Sequence, residues 1–224
     1  MKVKICGITN LEDALAAADA GADFLGFIFY PPSKRSIDVE SAKKIVAHLR
    51  RRRNCPVLVG VFVNETGTHM AHVLDTLGLD LAQLSGEEVP KLVGDESSPI
   101  YGRSYKALRP ASFAEAEADA EWFLSPQSSV LSPQLLIDTY HPTLRGGTGE
   151  IGDWEMSAKL AAQIPGLMIA GGLNADNVVE AVQQIRPFAV DVAGGVEAHP
   201  GKKDPDLVRA FIRNAKLIDD LGTL

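Results

Sequence analysis

Strand-sized and helix-sized apolar patterns alternate along this chain eight times, and that alternation limits the fold more than any other feature. "VKICGI" (3–8) leads into "LEDALAAADAG", with Asn10 placed to cap the helix and Gly21 to stop it. "FLGFIF" (24–29) is followed by a polar loop, "YPPSKRSI", and then "DVESAKKIVAHLRR". "PVLVGVF" (56–62) precedes "TGTHMAHVLDTLG", and "LAQLSG" (81–86) precedes a short acidic helix near Glu87 to Val93. "SYKALR" (104–109) precedes "SFAEAEADAEWF", and "LLIDTY" (135–140) precedes a Gly-rich loop and "DWEMSAKLAAQI". "LMIAGGL" (167–173) precedes "NADNVVEAVQQI", and "FAVDVAGG" (188–195) precedes a loop and "DPDLVRAFIRNAKLI".

The strands are short and nearly continuous in apolar residues, as strands covered by helices are. Strand–helix alternation implies right-handed parallel crossovers. Eight units in 224 residues predict a closed (β/α)₈ barrel, a TIM barrel, as one domain over residues 1–224. A doubly wound open sheet is the alternative that shares the alternation. Two places break the pattern. The fourth helix is stunted, and Glu121 to Pro133 is too long for a plain loop, which predicts an extra helical turn or a surface excursion.

A net charge of −7 argues against a nucleic-acid partner, because phosphate backbones bind basic surfaces. The run Arg50 to Arg53 reads as a solvated helix end. Two cysteines, Cys6 and Cys55, are too few for a disulfide framework and fit a reducing compartment. No apolar run reaches membrane-spanning length, and the charged start at Lys2 and Lys4 is unlike a signal peptide. The expectation is a cytoplasmic protein with no membrane partner. His69 and His72 lie three apart on a helix without a third ligand, so they read as exposed and no metal is expected. His141 follows Asp138 closely enough to line a site there.

In a barrel, side chains alternate between lumen and helix layer, and ligands bind at the C-terminal strand ends. Several strands end in polar residues: Cys6 on the first, Gln83 and Ser85 on the fourth, Asp138 on the sixth and Asp191 on the eighth, with Lys106 in the fifth. Singly, each has a bland reading as a buried small residue, a loop cap or one half of an ion pair. Asp191, for instance, can pair with Lys202 or Lys203. A buried carboxylate costs several kcal/mol (roughly 2–7 for even a neutral polar group) unless paired or solvated. Two carboxylates, a thiol and a lysine around one rim are therefore hard to explain as packing. Two glycine pairs, "AGGLN" (170–174) and "AGGVE" (193–197), follow strands seven and eight, with Asn174 or Asp176 able to cap the next helix. Those loops form the usual phosphate site of such barrels, so the ligand is expected to carry a phosphate.

These residues also carry a family resemblance. "KICGITN", "GFIFYPPSKRSI", "VGVFVNE", "LIDT", "GGTG", "AGGLN" and "RPFAVDVAGGVEAHPGKKD" closely resemble the phosphoribosylanthranilate isomerases of tryptophan biosynthesis, from residue 3 to about 217. The least family-like part is Arg109 to Pro133. The resemblance implies an Amadori rearrangement of N-(5-phosphoribosyl)anthranilate to 1-(2-carboxyphenylamino)-1-deoxyribulose 5-phosphate, with no cofactor or metal. It implies Cys6 as general base, Asp138 as general acid and Arg35 as the group that orients the anthranilate. It matches Gly171, Gly172, Ala193, Gly194 and Gly195 to the phosphate loops and Asp191 to the family's "VDV" aspartate.

The chemistry fits these residue types. A carboxylic acid can protonate the furanose oxygen to open the ring. A thiolate can then take the C2′ proton, given a nearby cation such as Lys4 on the same strand face. A guanidinium can hold a planar carboxylate in a two-point fork. Lys4, Arg35, Gln83, Ser85 and Asp191 are thus the candidate substrate-binding residues. The family usually has "QLHG" where this chain has "QLSG", serine near Ala193 and Gly194, and "FDW" where this chain has "GEIGDW". Two rivals remain at this level. One is the phosphosugar isomerase of histidine biosynthesis, which pairs two aspartates and has a second phosphate loop. The other is a non-catalytic phosphosugar-binding barrel. The expected partner is a small phosphosugar, and the chain is expected to be a monomer or homodimer.

Overall fold

A computed structural model of the protein describes residues 1–124, 133–138 and 153–221. Eight strands close into one barrel in chain order: β1 (Lys2–Cys6), β2 (Phe24–Ile28), β3 (Val57–Phe62), β4 (Leu81–Leu84), β5 (Ser104–Leu108), β6 (Leu135–Ile137), β7 (Leu167–Ile169) and β8 (Ala189–Val192). Every neighbouring pair is parallel. The closure runs from Lys2 opposite Ala189 to Ile5 opposite Val192. The helices that alternate with them are α1 (Leu11–Asp19), α2 (Val39–Leu49), α3 (Gly67–Leu77), α4 (Lys91–Gly94), α5 (Phe113–Phe123), α6 (Trp154–Gln163), α7 (Val178–Ile185) and α8 (Pro205–Leu221). The open-sheet alternative is thereby removed.

The period-2 alternation of the strands splits the core in two. One side of each strand, including Val3, Ile5, Leu25, Phe27, Leu58 and Leu84, packs with the helices in one large apolar cluster. The other side fills the lumen with Phe24, Val59, Tyr105, Leu136, Met168 and Ala189. At the N-terminal end the ammonium of Lys2 lies 4.4 Å from the centroid of the Phe188 ring.

Asn10, Asp38, Thr66, Ser112 and Asp153 each accept a hydrogen bond from the amide three residues on and cap their helices. Each such cap contributes about 1 kcal/mol and fixes where a loop hands over to a helix. Before α7 the cap position is Asn177, while the Asn174 side chain takes the Asp176 and Asn177 amides at 2.8 and 3.2 Å.

The structure corrects the sequence reading in three places. The fourth helix is a single turn beginning at Lys91 rather than near Glu87. The Glu88 carboxylate instead accepts the Gly86 and Asn64 amides, which holds residues 86–88 in a loop. The strands stop up to four residues before their apolar runs do. The connection after β8 is no plain loop. It forms a 3₁₀ turn (Gly194–Val196) and a hairpin of β9 (Glu197–His199) and β10 (Lys202–Lys203) before α8. The excursion expected within 121–133 begins as the end of α5, and its remainder lies outside the described residues, as do His141 and "GGTG". Among the described residues no helix is long and apolar enough to cross a membrane.

Candidate active site

Alternation along β1 turns Lys2, Lys4 and Cys6 toward the lumen and leaves Cys6 at the C-terminal end. Cys6 pairs with Gly26 of β2. A Cβ on Gly26 would lie 2.7 Å from the Cys6 sulfur, so glycine there makes room for the thiol. Gly7, at φ +78°, then bends the chain out of the strand, and the Gly7 and Ile8 amides both bond the Gly26 carbonyl, at 3.0 and 2.9 Å.

One pleat below Cys6, Lys4 is fully buried. Its ammonium lies 3.1 Å from Asp191 and donates to the Gln83 amide oxygen at 2.9 Å. The Tyr105 hydroxyl donates to that same oxygen at 2.8 Å, and the Gln83 amide nitrogen donates to Ser85 at 3.1 Å. Burial alone would lower the Lys4 pKa, but Asp191, Cys6 and Tyr105 outweigh it and keep the ammonium charged. Lys4 was expected both as the cation near the thiol and as a substrate-binding residue. Its placement beneath the thiol, held by Gln83 and Asp191, suits the first of these. Asp191 pairs with Lys4, rather than with Lys202 or Lys203.

The thiol departs from expectation as well. Two cations, Lys4 and Lys203, act to lower its pKa, yet burial outweighs them and Asp191 adds to the rise. The free protein thus holds Cys6 mainly as a thiol at neutral pH. Its minor thiolate is the stronger base for that reason.

Asp138 follows directly on β6, on the same face as the lumen residue Leu136, and its amide is pinned to the Leu108 carbonyl at 2.9 Å. It is half-buried. Cys6 and Asp138 therefore stand at the C-terminal ends of two strands in one barrel.

Arg35 reaches the site from the β2–α2 loop. That loop is folded by the Ser33 amide bonding Tyr30, the Ser36 amide bonding Ser33, and a bridge between Ile28 and Ser36. The guanidinium does not stand alone. Its Nε and Nη2 donate to the two oxygens of Glu197, both at 2.8 Å, and Lys203 donates to Glu197 at 3.0 Å and to the Ala193 carbonyl at 2.9 Å. Burial raises the Glu197 pKa, but the two cations outweigh it and hold the carboxyl below its usual range. Burial lowers that of Lys203. Asp13, buried near the start of α1, anchors the β9–β10 hairpin by accepting the Lys203 amide and the Lys202 ammonium, both at 2.7 Å.

The loops after β7 and β8 meet. Gly171 and Gly172 have φ of +91° and +64°, a region glycine adopts without strain. A Cβ on Gly195 would fall 1.9 Å from the Leu173 carbonyl oxygen, so the two loops touch backbone to backbone. Ala193, Gly194 and Gly195 lead into the 3₁₀ turn, beside Arg35, whose Nη2 would be 3.0 Å from a Cβ on Gly194.

One rim residue is misplaced by the sequence reading. Lys106 faces away from the lumen, because Tyr105 takes the inward position of β5. It is buried in a pair with Glu88 at 2.9 Å and bonds the Gly86 carbonyl at 2.6 Å. Sequence reasoning also passed over Glu197, Lys203 and Tyr105 as site residues. The acid inside "GVEAHPGKK", flanked by cations, was the available signal for the first two.

A thiol, a carboxyl group, a guanidinium and two glycine loops converge on one barrel mouth. That arrangement can bind a phosphate and a carboxylate while moving protons between carbon and oxygen. The family model described as N-(5'-phosphoribosyl)anthranilate (PRA) isomerase matches residues 3–214. A protein of Trichlorobacter lovleyi named N-(5'-phosphoribosyl)anthranilate isomerase is 44% identical over 216 residues, spanning 96% of this chain and 98% of its own. The crystal structure of phosphoribosyl anthranilate isomerase from Thermotoga maritima aligns with a TM-score of 0.83 at 40% identity, over 96% of this chain and 98% of that one. A phosphoribosyl anthranilate isomerase in complex with reduced 1-(o-carboxyphenylamino)-1-deoxyribulose 5-phosphate aligns at 0.79 and 38% identity, again over 96% and 98%.

Proposed function

The chain belongs to the N-(5'-phosphoribosyl)anthranilate isomerase family, isomerases of tryptophan biosynthesis, and from that premise we propose that Cys6 is its general base and Asp138 its general acid. The observation that carries this reading is the shared placement of the two groups, on lumen faces at the C-terminal ends of β1 and β6.

The protonated carboxyl of Asp138 delivers its proton to the furanose oxygen of N-(5-phosphoribosyl)anthranilate. The ring C1′–O bond breaks as the anilino nitrogen pair forms the C1′=N bond of a Schiff base. The Cys6 thiolate removes the C2′ proton, and the released electron pair forms C1′=C2′ while the nitrogen recovers its own. The enol so formed becomes the ketone of 1-(2-carboxyphenylamino)-1-deoxyribulose 5-phosphate by moving a proton from O2′ to C1′. Proton transfer by each positioned group contributes about 10²–10⁴-fold.

Arg35 binds the anthranilate carboxylate, and the glycine loops at 171–172 and 193–195 take the phosphate. Lys4 is the counter-ion of the Cys6 thiolate, with Asp191 and Gln83 holding it there. Ser85, at the mouth and bonded to Gln83, stands at the substrate's edge. We read the chain as one barrel domain with a phosphosugar ligand, working in the cytoplasm as a monomer or homodimer. Its activity is tested by generating phosphoribosylanthranilate in place from anthranilate and phosphoribosyl pyrophosphate with a phosphoribosyltransferase, then following loss of anthranilate-type fluorescence. Fluorescence loss that requires the protein supports the reading, and a rate equal to the protein-free control overturns it.

A further inference from the structure

We propose that Glu197 is a positioning residue for substrate binding, holding Arg35 by one edge of its guanidinium so that the opposite edge meets the substrate carboxylate. A guanidinium has two edges that can grip a carboxylate at two points, Nε–Nη2 and Nη1–Nη2. Glu197 fills the first of them with two bonds of 2.8 Å. A second carboxylate can then be met at two points only through Nη1–Nη2.

The surroundings are shaped for that clamp. A Cβ on Gly7 would lie 2.9 Å from Cδ of Arg35, and a Cβ on Gly194 would lie 3.0 Å from its Nη2, so glycines border the side chain at both places. Glu197 is itself fixed. Its side chain is 4% exposed, Lys203 grips it from β10 at 3.0 Å, and the Gly201 amide donates to it at 3.3 Å. One carboxylate shared between two cations leaves a surplus positive charge beside loops expected to face a phosphate and a carboxylate. Glu197 thus orders Arg35 before the ligand arrives without cancelling the charge the ligand needs. Fixing a rotamer-rich side chain in advance removes its ordering cost from binding, an effect of about two- to tenfold in affinity.

The inference rests on the reading that Arg35 receives the anthranilate carboxylate. Steady-state kinetics of Arg35→Ala, Glu197→Gln and the double variant separate the two ideas. Each variant is first checked for a cooperative thermal transition. We expect KM for phosphoribosylanthranilate to rise about tenfold or more in Arg35→Ala and about two- to tenfold in Glu197→Gln, with kcat changed far less, and the double variant to be no worse than Arg35→Ala alone. A parental KM in Arg35→Ala would remove the premise. A raised KM in Arg35→Ala beside a parental or lower KM in Glu197→Gln would overturn the role of Glu197, the lower value meaning that it competes with substrate. Multiplying effects in the double variant would overturn it too. If Glu197→Gln does not fold, Glu197→Asp serves. Its carboxylate is one methylene too short to keep both Arg35 bonds, so a raised KM is again expected and a parental KM overturns the proposal.

Discussion

The Lys4 ammonium sits 3.1 Å from the Asp191 carboxylate inside the barrel and has no exposed surface of its own. Taking both charges out of water costs several kcal/mol per ion, so the pair is weak evidence for stability. Its position one layer below Cys6 gives it another use, as a fixed charge beneath the proposed base.

Removing one partner strands the other. Asp191→Ala is expected to destabilise the fold by about 3–5 kcal/mol, and Lys4→Met with Asp191→Asn to recover most of that loss. Urea unfolding with free-energy extrapolation measures both. Equal stabilities for parent and Asp191→Ala would contradict the buried pair.

The thiol sets a pH dependence. Burial favours neutral Cys6 in the fold, so its contribution to stability is present below the ordinary thiol range and is lost as pH rises through its elevated pKa. The rate of Cys6 alkylation by iodoacetamide, read by peptide mass, should therefore keep climbing with pH and level off later than for a free thiol. Lys4 outweighs Asp191 in its effect on Cys6, so the Lys4→Met/Asp191→Asn variant should move that limb higher still. A limb moving lower in the double variant would remove Lys4 as counter-ion.

Gly195 tests the proposed phosphate loops. With Leu173 O only 1.9 Å from a Cβ, Gly195→Ala must push the β7 and β8 loops apart. The expected result is a stability loss of about 1–3 kcal/mol from overpacking. KM should rise about 10–100-fold, as for one lost charge-assisted hydrogen bond. Steady-state kinetics and thermal melting measure the two. An unchanged KM would place the phosphate elsewhere.

Much of this was legible before any coordinates. Asn10 caps α1 as its spacing indicates, and the polar residues picked out on the strands, Lys4, Cys6, Gln83, Asp138 and Asp191, lie on lumen faces, because strands covered on both sides leave few polar exceptions. Lys106 was misread because "SYKALR" carries amphipathic side chains at both parities, and only packing decides that Tyr105 turns inward. The β9–β10 hairpin was invisible, since strands of two or three residues have no measurable period. Glu197 and Arg35 lie 162 positions apart, and no local pattern announces a contact that closure of the barrel creates. The roles proposed for Cys6 and Asp138 come from chemistry and resemblance rather than from any local pattern.

The most direct measurement is turnover of phosphoribosylanthranilate by Cys6→Ala and by Asp138→Asn, each compared with the parent at saturating substrate and each shown to melt cooperatively. The proposed acid–base pair predicts that kcat falls by about 10²–10⁴-fold in both variants. Parental turnover in either one would remove that residue from the reaction, and parental turnover in both would leave this barrel mouth without its chemistry.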